Sequence, residues 1–191
     1  MISPSAPSST SYRGCFLADY AHDPRGALSW RFLREAAGLG VLGDLMSHVS
    51  DLAQFLVGPI ARVTAQAETL IPMRPKVEVG SGTHFSVVEG GELGPVENED
   101  AVTGLVEFAS GVRGSLEATR VLVGRPGPAL GMGFGDLKVI EARLFLESVL
   151  DGRQREPGAW EMLQAAKVID AMARSVDSGR WEDVRDPENR R

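Results

Sequence analysis

The chain has 191 residues, enough for one domain of ordinary size with short ends to spare. Its 43% hydrophobic and 24% charged content is that of a globular protein able to bury a core, and a formal net charge of -6 argues against nucleic acid or an anionic membrane as a partner. Cys15 is the single cysteine, which excludes an internal disulfide and a cysteine-built zinc site and suits a reducing, cytoplasmic setting.

Residues 1–11 are small and polar and read as a flexible head. They lack the basic segment and apolar run of a signal peptide, and nowhere does an apolar run approach the roughly 18 residues of a membrane span. Tyr12 to Tyr20 reads as a strand, His22 to Ser29 as a loop, and Ser29 to Phe32 as the start of a short helical or irregular piece ending at Gly38, Gly40 and Gly43. From Asp44 to Val57 the apolar positions Leu45, Met46, Val49, Leu52, Phe55 and Leu56 recur at helical spacing, and Gly58-Pro59 ends the helix. Ile60 to Ile71 alternates as a strand, with Val63, Ala65, Ala67 and Thr69 on one face and Arg62, Thr64, Gln66 and Glu68 on the other.

Pro72 to Asp100 reads mostly as loop, with a short strand at His84 to Val88 as an option. Ala101 to Ala109 and Val112 to Val123 flank Ser110-Gly111 as an antiparallel hairpin. A glycine- and proline-rich connector, Gly124 to Gly135, leads to a helix capped by Asp136 and running to Leu150. A last helix runs from about Pro157 to Ser175, packed through Met162, Ala165, Ala166, Ile169 and Met172, and stops near Gly179. Strands in the middle with helices at both ends predict an α+β fold, a mainly antiparallel open sheet with helices on one face. The domain is expected over 12–184, with 185–191 as a tail.

The chemistry concentrates in one helical turn. Asp44 and His48 lie four residues apart, so a helix places both on one face. Histidine is the side chain that exchanges protons near neutral pH, and a neighbouring carboxylate can orient its ring. Such a pair can take a proton from an alcohol. Asp44 is equally placed to be an N-cap or first-turn dipole partner after Gly43, and His48 to be a hydrogen-bonded core histidine. Asp51 adds a third polar residue to that face, which leaves a metal site as a further reading, although only one histidine is placed to contribute. Trp30 and Arg31 could offer an aromatic face and a cation to a polyhydroxylated or anionic substrate, or simply anchor their loop. Arg120 and Arg125, near the hairpin's end, read as a solvated or interface face. Gly131-Met132-Gly133-Phe134-Gly135 has the glycines of a phosphate-cradling loop but no preceding strand, so it reads as a connector.

Leu28-Ser29-Trp30-Arg31-Phe32 and Gly43-Asp44-Leu45-Met46-Ser47-His48-Val49-Ser50-Asp51-Leu52 carry a specific likeness. With them go Val106 to Gly111, Gly114 to Ala118, Gly135 to Glu141 and Gly179-Arg180-Trp181. Residues 13–184 resemble the second domain of the glucose–fructose oxidoreductase/inositol dehydrogenase (Gfo/Idh/MocA) family. The resemblance implies that His48 is the general base toward a substrate hydroxyl, with Asp44 binding that hydroxyl or setting the imidazole. It also implies hydride transfer to NAD or NADP, a sugar- or polyol-like substrate, and a homo-oligomer built through the outer face of the sheet. Two departures stand out. The nucleotide-binding Rossmann domain that precedes this domain in the family is missing, so the chain reads as a truncated or split member working with a separate Rossmann-domain chain. The segment between Arg125 and Asp136 is also too short for the family's further strands, leaving a sheet about two strands short with an edge to be covered. The alternative is a non-catalytic module that binds a ligand or oligomerises.

Overall fold

A computed structural model describes residues 11–77, 86–123, 134–153 and 157–185. Strand β1 (Ser11–Leu17) leads through a loop and a single 3-10 turn at Trp30–Phe32 into the short helix α1 (Arg34–Ala37) and the long helix α2 (Val41–Val57). Strand β2 (Ile60–Glu68) follows, then a small ribbon of β3 (Met73–Pro75) and β4 (Leu93–Pro95), and the hairpin of β5 (Ala101–Phe108) and β6 (Arg113–Thr119). Helices α3 (Phe134–Asp151) and α4 (Ala159–Ser178) and the two-residue strand β7 (Glu182–Asp183) complete the described elements.

The main sheet has the order β1-β6-β5-β2-β7 and is antiparallel except at its edge, where β1 runs parallel to β6. The period-two pattern sorts its faces as the residue types require. Val63 and Ala65 of β2, Val102, Val106 and Phe108 of β5, and Leu116 and Ala118 of β6 are buried beneath α2 and α4. α2 contributes Leu45, Met46, Val49 and Ala53, and α4 contributes Val168, Ile169, Ala171 and Met172. Each fully buried side chain of this size stabilises by about 1.5–3 kcal/mol. At the hairpin turn Gly111 takes φ 86, a conformation that favours glycine, and donates its N–H to the Phe108 carbonyl.

The expected α+β architecture is what is found, with several local corrections. β1 ends at Leu17 rather than Tyr20, β2 at Glu68 rather than Ile71, and β6 at Thr119 rather than Val123. The stretch read as loop from Pro72 to Asp100 contains the β3–β4 ribbon, and Val87 forms an isolated bridge with Gly26. α2 begins three residues before Asp44, so its first turn runs through Gly43 and the N-cap position belongs to Gly40. Likewise α3 begins before Asp136. On α4 the buried stripe is Ala165, Val168, Ile169, Met172 and Ser175, while Met162 and Ala166 are exposed. Leu52, Phe55 and Leu56, at helical spacing with the core positions of α2, also stay exposed. Residues 1–10, His84, Arg125 and Gly131 to Gly133 lie outside the described residues.

Candidate functional site

Three consecutive buried polar residues, Asn98, Glu99 and Asp100, organise the site from the segment entering β5. Glu99 Oε1 accepts the backbone N–H groups of Gly40 and Leu42 at 2.8 and 2.9 Å, and the Glu99 carbonyl accepts that of Val41 at 3.1 Å. The first turn of a helix leaves these donors without intrahelical partners, and a carboxylate there also meets the positive end of the helix dipole. Glu99 thus anchors the end of α2 that carries Asp44. Gly40 permits the approach: a Cβ there would lie 2.3 Å from the Glu99 carbonyl oxygen.

Asp100 holds a second element. Its Oδ2 accepts the N–H groups of Leu70 and Ile71, each at 2.9 Å, and its Oδ1 accepts Arg120 Nε–H at 2.7 Å. Asn98 joins two arginines, accepting from Arg120 Nη2 at 3.0 Å and donating its amide to the Arg31 carbonyl at 2.9 Å. Arg120 was expected on a solvated or interface face; instead its side chain is only 3% exposed. The correction has a plain cause, since the ion pair with Asp100 and the amide of Asn98 replace the water a guanidinium would otherwise keep. Phe32 lies between two guanidinium groups, Arg74 at 4.4 Å and Arg120 at 4.5 Å from its ring centre. Burial pushes the Arg74 guanidinium below its ordinary range.

These supports shape a cleft of about 260 Å³ lined by Trp30, Arg31, Leu39, Gly43, Asp44 and Arg120, among others. Asp44 Oδ2 accepts the Tyr20 hydroxyl at 3.0 Å and faces Arg31 Nη1 at 3.5 Å. Burial and then the Asp44 carboxylate push the Tyr20 phenol well above its ordinary value, so Tyr20 acts as a fixed neutral donor. Both partners of the Arg31–Asp44 pair are over a third exposed, which limits such a pair to about 0–1 kcal/mol of stability. The Arg31 guanidinium also sits 4.8 Å from the Trp30 ring centre.

Of the four residues read as site candidates, Asp44, Trp30 and Arg31 line one cleft. His48 is on the same side of α2 one turn further on, exposed, with its ring 5.9 Å from that of Phe16. Among the described residues His48 has no hydrogen-bond partner, and Asp44 bonds to Tyr20 and Arg31 rather than to the imidazole. Tyr20, Asn98, Asp100 and Arg120 were missed. Their partners are distant in sequence, and the one local signal was Asn98-Glu99-Asp100 standing directly before a strong strand. Among the described residues no three His, Cys, Asp or Glu side chains converge as a metal site would need. No helix among them is long and apolar enough to cross a membrane.

The architecture is an α+β sheet with helices on one face and a polar cleft at the N-terminal end of α2. Residues 10–132 match the model of the GFO/IDH/MocA C-terminal domain, and the chain belongs to the Gfo/Idh/MocA family. It is 32% identical to levoglucosan dehydrogenase of Pseudarthrobacter phenanthrenivorans, a match covering 91% of this chain and 59% of the relative. Levoglucosan dehydrogenase in its apo form superposes with a TM-score of 0.80 at 31% identity, over 92% of this chain and 59% of that one. Its complex with NADH and levoglucosan gives 0.78 at 30% identity, over 92% and 58%. An NAD binding oxidoreductase from Klebsiella pneumoniae gives 0.77 at 28% identity, over 91% and 58%. The chain therefore spans about three fifths of the length of these relatives. The match to the Pseudarthrobacter enzyme runs over 231 residues, more than the 191 of the chain, so the relative carries additional residues inside the matched region.

The described residues do not fit a dinucleotide. The one parallel strand pair, β1 and β6, is not joined by a glycine turn and a single helix. The N-terminal amides of α2, which could have met a pyrophosphate, are already taken by Glu99.

Proposed function

We propose that this chain supplies the substrate side of an NAD(P)-linked oxidation of a sugar, polyol or related alcohol. His48 serves as the base for the substrate hydroxyl, Asp44 binds that hydroxyl or steers the imidazole, and Trp30 and Arg31 hold the body of the substrate. The observation that carries this reading is the placement of Asp44 on the cleft wall with His48 one turn along the same helix, its ring open to a ligand. Tyr20 and Arg31 hold the Asp44 carboxyl group on the cleft wall, where a sugar hydroxyl would meet an oxygen acceptor. A proton taken from that hydroxyl at His48 Nδ1 or Nε2 is the step these residues can perform. Nothing they hold accepts the hydride. Around His48 the exposed apolar side chains of Phe16, Leu52 and Phe55 leave a surface on which a separate Rossmann-domain chain would complete the site.

With such an NAD(P)-binding chain supplied, His48→Ala should lower turnover by about 10²- to 10⁴-fold and leave the melting temperature unchanged. Unchanged turnover refutes the base. On its own, the chain should show no micromolar binding of NADH in a fluorescence titration. The outer face of the sheet, where Arg13, Thr64, Thr103 and Leu105 lie opposite the helices, is the surface proposed to join copies into an oligomer. Analytical ultracentrifugation tests that assembly.

A second reading, a non-catalytic ligand-binding or oligomerisation module, has one observation in its favour: among the described residues the imidazole has no hydrogen-bonded orienting partner. Sugar binding without turnover in the presence of the nucleotide-binding chain would select it.

A further inference from the structure

The pairing of Arg120 within the fold leaves some of its donors unused. A buried ion pair is a weak source of stability, because desolvation of the two charges offsets most of their attraction. A guanidinium carries five N–H donors. Here Nε is taken by Asp100 and Nη2 by Asn98, while Nη1 has no partner among the described residues. Arg120 nevertheless lines the cleft, and Nη1 is the one of its nitrogens left with no partner among the described residues. The group is rigid: Asp100 is itself fixed by two backbone N–H groups, Asn98 by the Arg31 carbonyl, and the guanidinium lies against the Phe32 ring. A donor held this firmly and left open on one side is arranged for a visiting acceptor.

Charge narrows the acceptor. The two cations that line the cleft, Arg31 and Arg120, each already face a carboxylate, Asp44 and Asp100, and the further guanidinium of Arg74, across the Phe32 ring, is spent on the Ala21 and Asp23 carbonyls, so the lining itself favours a neutral ligand. What remains is a floor donor at Arg120, an acceptor at Asp44 on the wall, and the exposed Trp30 ring at the rim. The volume, about 260 Å³, falls below the roughly 300–1,000 Å³ of sites for drug-sized ligands and suits a single sugar ring.

We infer that Arg120 is a ligand-binding residue of this cleft, donating from Nη1 to one oxygen of an uncharged monosaccharide-sized polyol. The inference rests on the proposed sugar-binding role of the cleft and adds to it the residue that reads one particular oxygen. The 191-residue chain, labelled with ¹⁵N, is titrated with levoglucosan while the arginine side-chain and Trp30 indole signals are followed. The Arg120 Nη signals should shift along the same saturation curve as those of Arg31 and Trp30. Arg120→Lys should weaken levoglucosan about tenfold or more, as expected for a hydrogen bond from a charged donor. For one of its monodeoxy analogues, the one lacking the contacted hydroxyl, wild type and variant should bind equally. A purely supporting arginine would weaken every analogue alike, which overturns the inference. Shifts at Trp30 and Arg31 with none at Arg120 overturn it while sparing the sugar cleft; absence of any saturable binding overturns both. The titration needs only the unmodified chain, so a variant that fails to fold does not remove the test.

Discussion

Helices α2 and α3 are of similar length, 17 and 18 residues, and each is rich in apolar side chains, yet the molecule treats them in opposite ways. α2 is pinned at its N-terminus by Glu99 and buried along one face from Val41 to Ala53. α3 leaves Val139, Ile140, Leu144, Phe145, Leu146, Val149 and Leu150 exposed and packs little against any described element. Apolar content is thus not what seats a helix here. What α2 has is an apolar face matched to the sheet together with a buried carboxylate, Glu99, that reaches its first turn from elsewhere in the chain. Those polar contacts also set the site, since Asp44 and His48 go wherever the end of α2 is held.

The largest effect is expected at the buried polar cluster beside the anchor of α2. Asp100→Ala leaves the Arg120 guanidinium buried without its counter-ion and orphans two backbone donors, and should cost about 3–5 kcal/mol in denaturant unfolding. A cost under about 1 kcal/mol would show that the pair is not desolvated as described. Next, Glu99→Ala should cost about 1–3 kcal/mol by uncovering the Gly40 and Leu42 N–H groups, whereas Glu99→Gln keeps an acceptor at Oε1 and should recover much of that. Equal losses in the two variants would mean that charge, not the accepted hydrogen bonds, holds α2.

Tyr20→Phe should cost about 1 kcal/mol at neutral pH. It should also change the pH dependence. Tyr20 is raised in the folded state above the ordinary 10.0, so the unfolded chain releases this proton first as pH rises past 10. The stabilisation is fully present below pH 10 and is lost as pH climbs through the folded-state value; the variant should lack that extra loss in thermal melts compared side by side. The smallest effect is expected on α3, where Phe145→Ser should shift stability by no more than about 0.5 kcal/mol. A larger loss would place α3 against the body and erase the contrast.

Helix α2, strand β2 and the hairpin were legible because their periodicity is a property of adjacent residues. So was the shared side of Asp44 and His48, which helical spacing alone dictates. The start of α2 was not legible. A run of Gly40, Leu42 and Gly43 is a poor local helix signal, and the carboxylate that stabilises it comes from residue 99. Asn98, Asp100 and Arg120 were hidden for a related reason. Charged and amide side chains read singly belong at the surface, and only their mutual pairing across the fold makes burial tolerable. Phase was the weak point of the α4 stripe: the spacing was helical, but Met162 and Ala166 fall outside the arc that the sheet covers.

The parallel edge strand imposes an order of events on this chain. β1 pairs Tyr12 with Gly114 and Phe16 with Ala118, partners that do not exist as a strand until the β5–β6 hairpin has closed. Local hairpins form quickly, whereas a contact spanning about half of the chain costs more loop entropy. Phe16, the ring beside His48, sits on an edge with one neighbouring strand, so its amide should exchange with solvent sooner than those of β5 in a hydrogen-exchange experiment. The surroundings of His48 thus depend on an edge strand with a single neighbour.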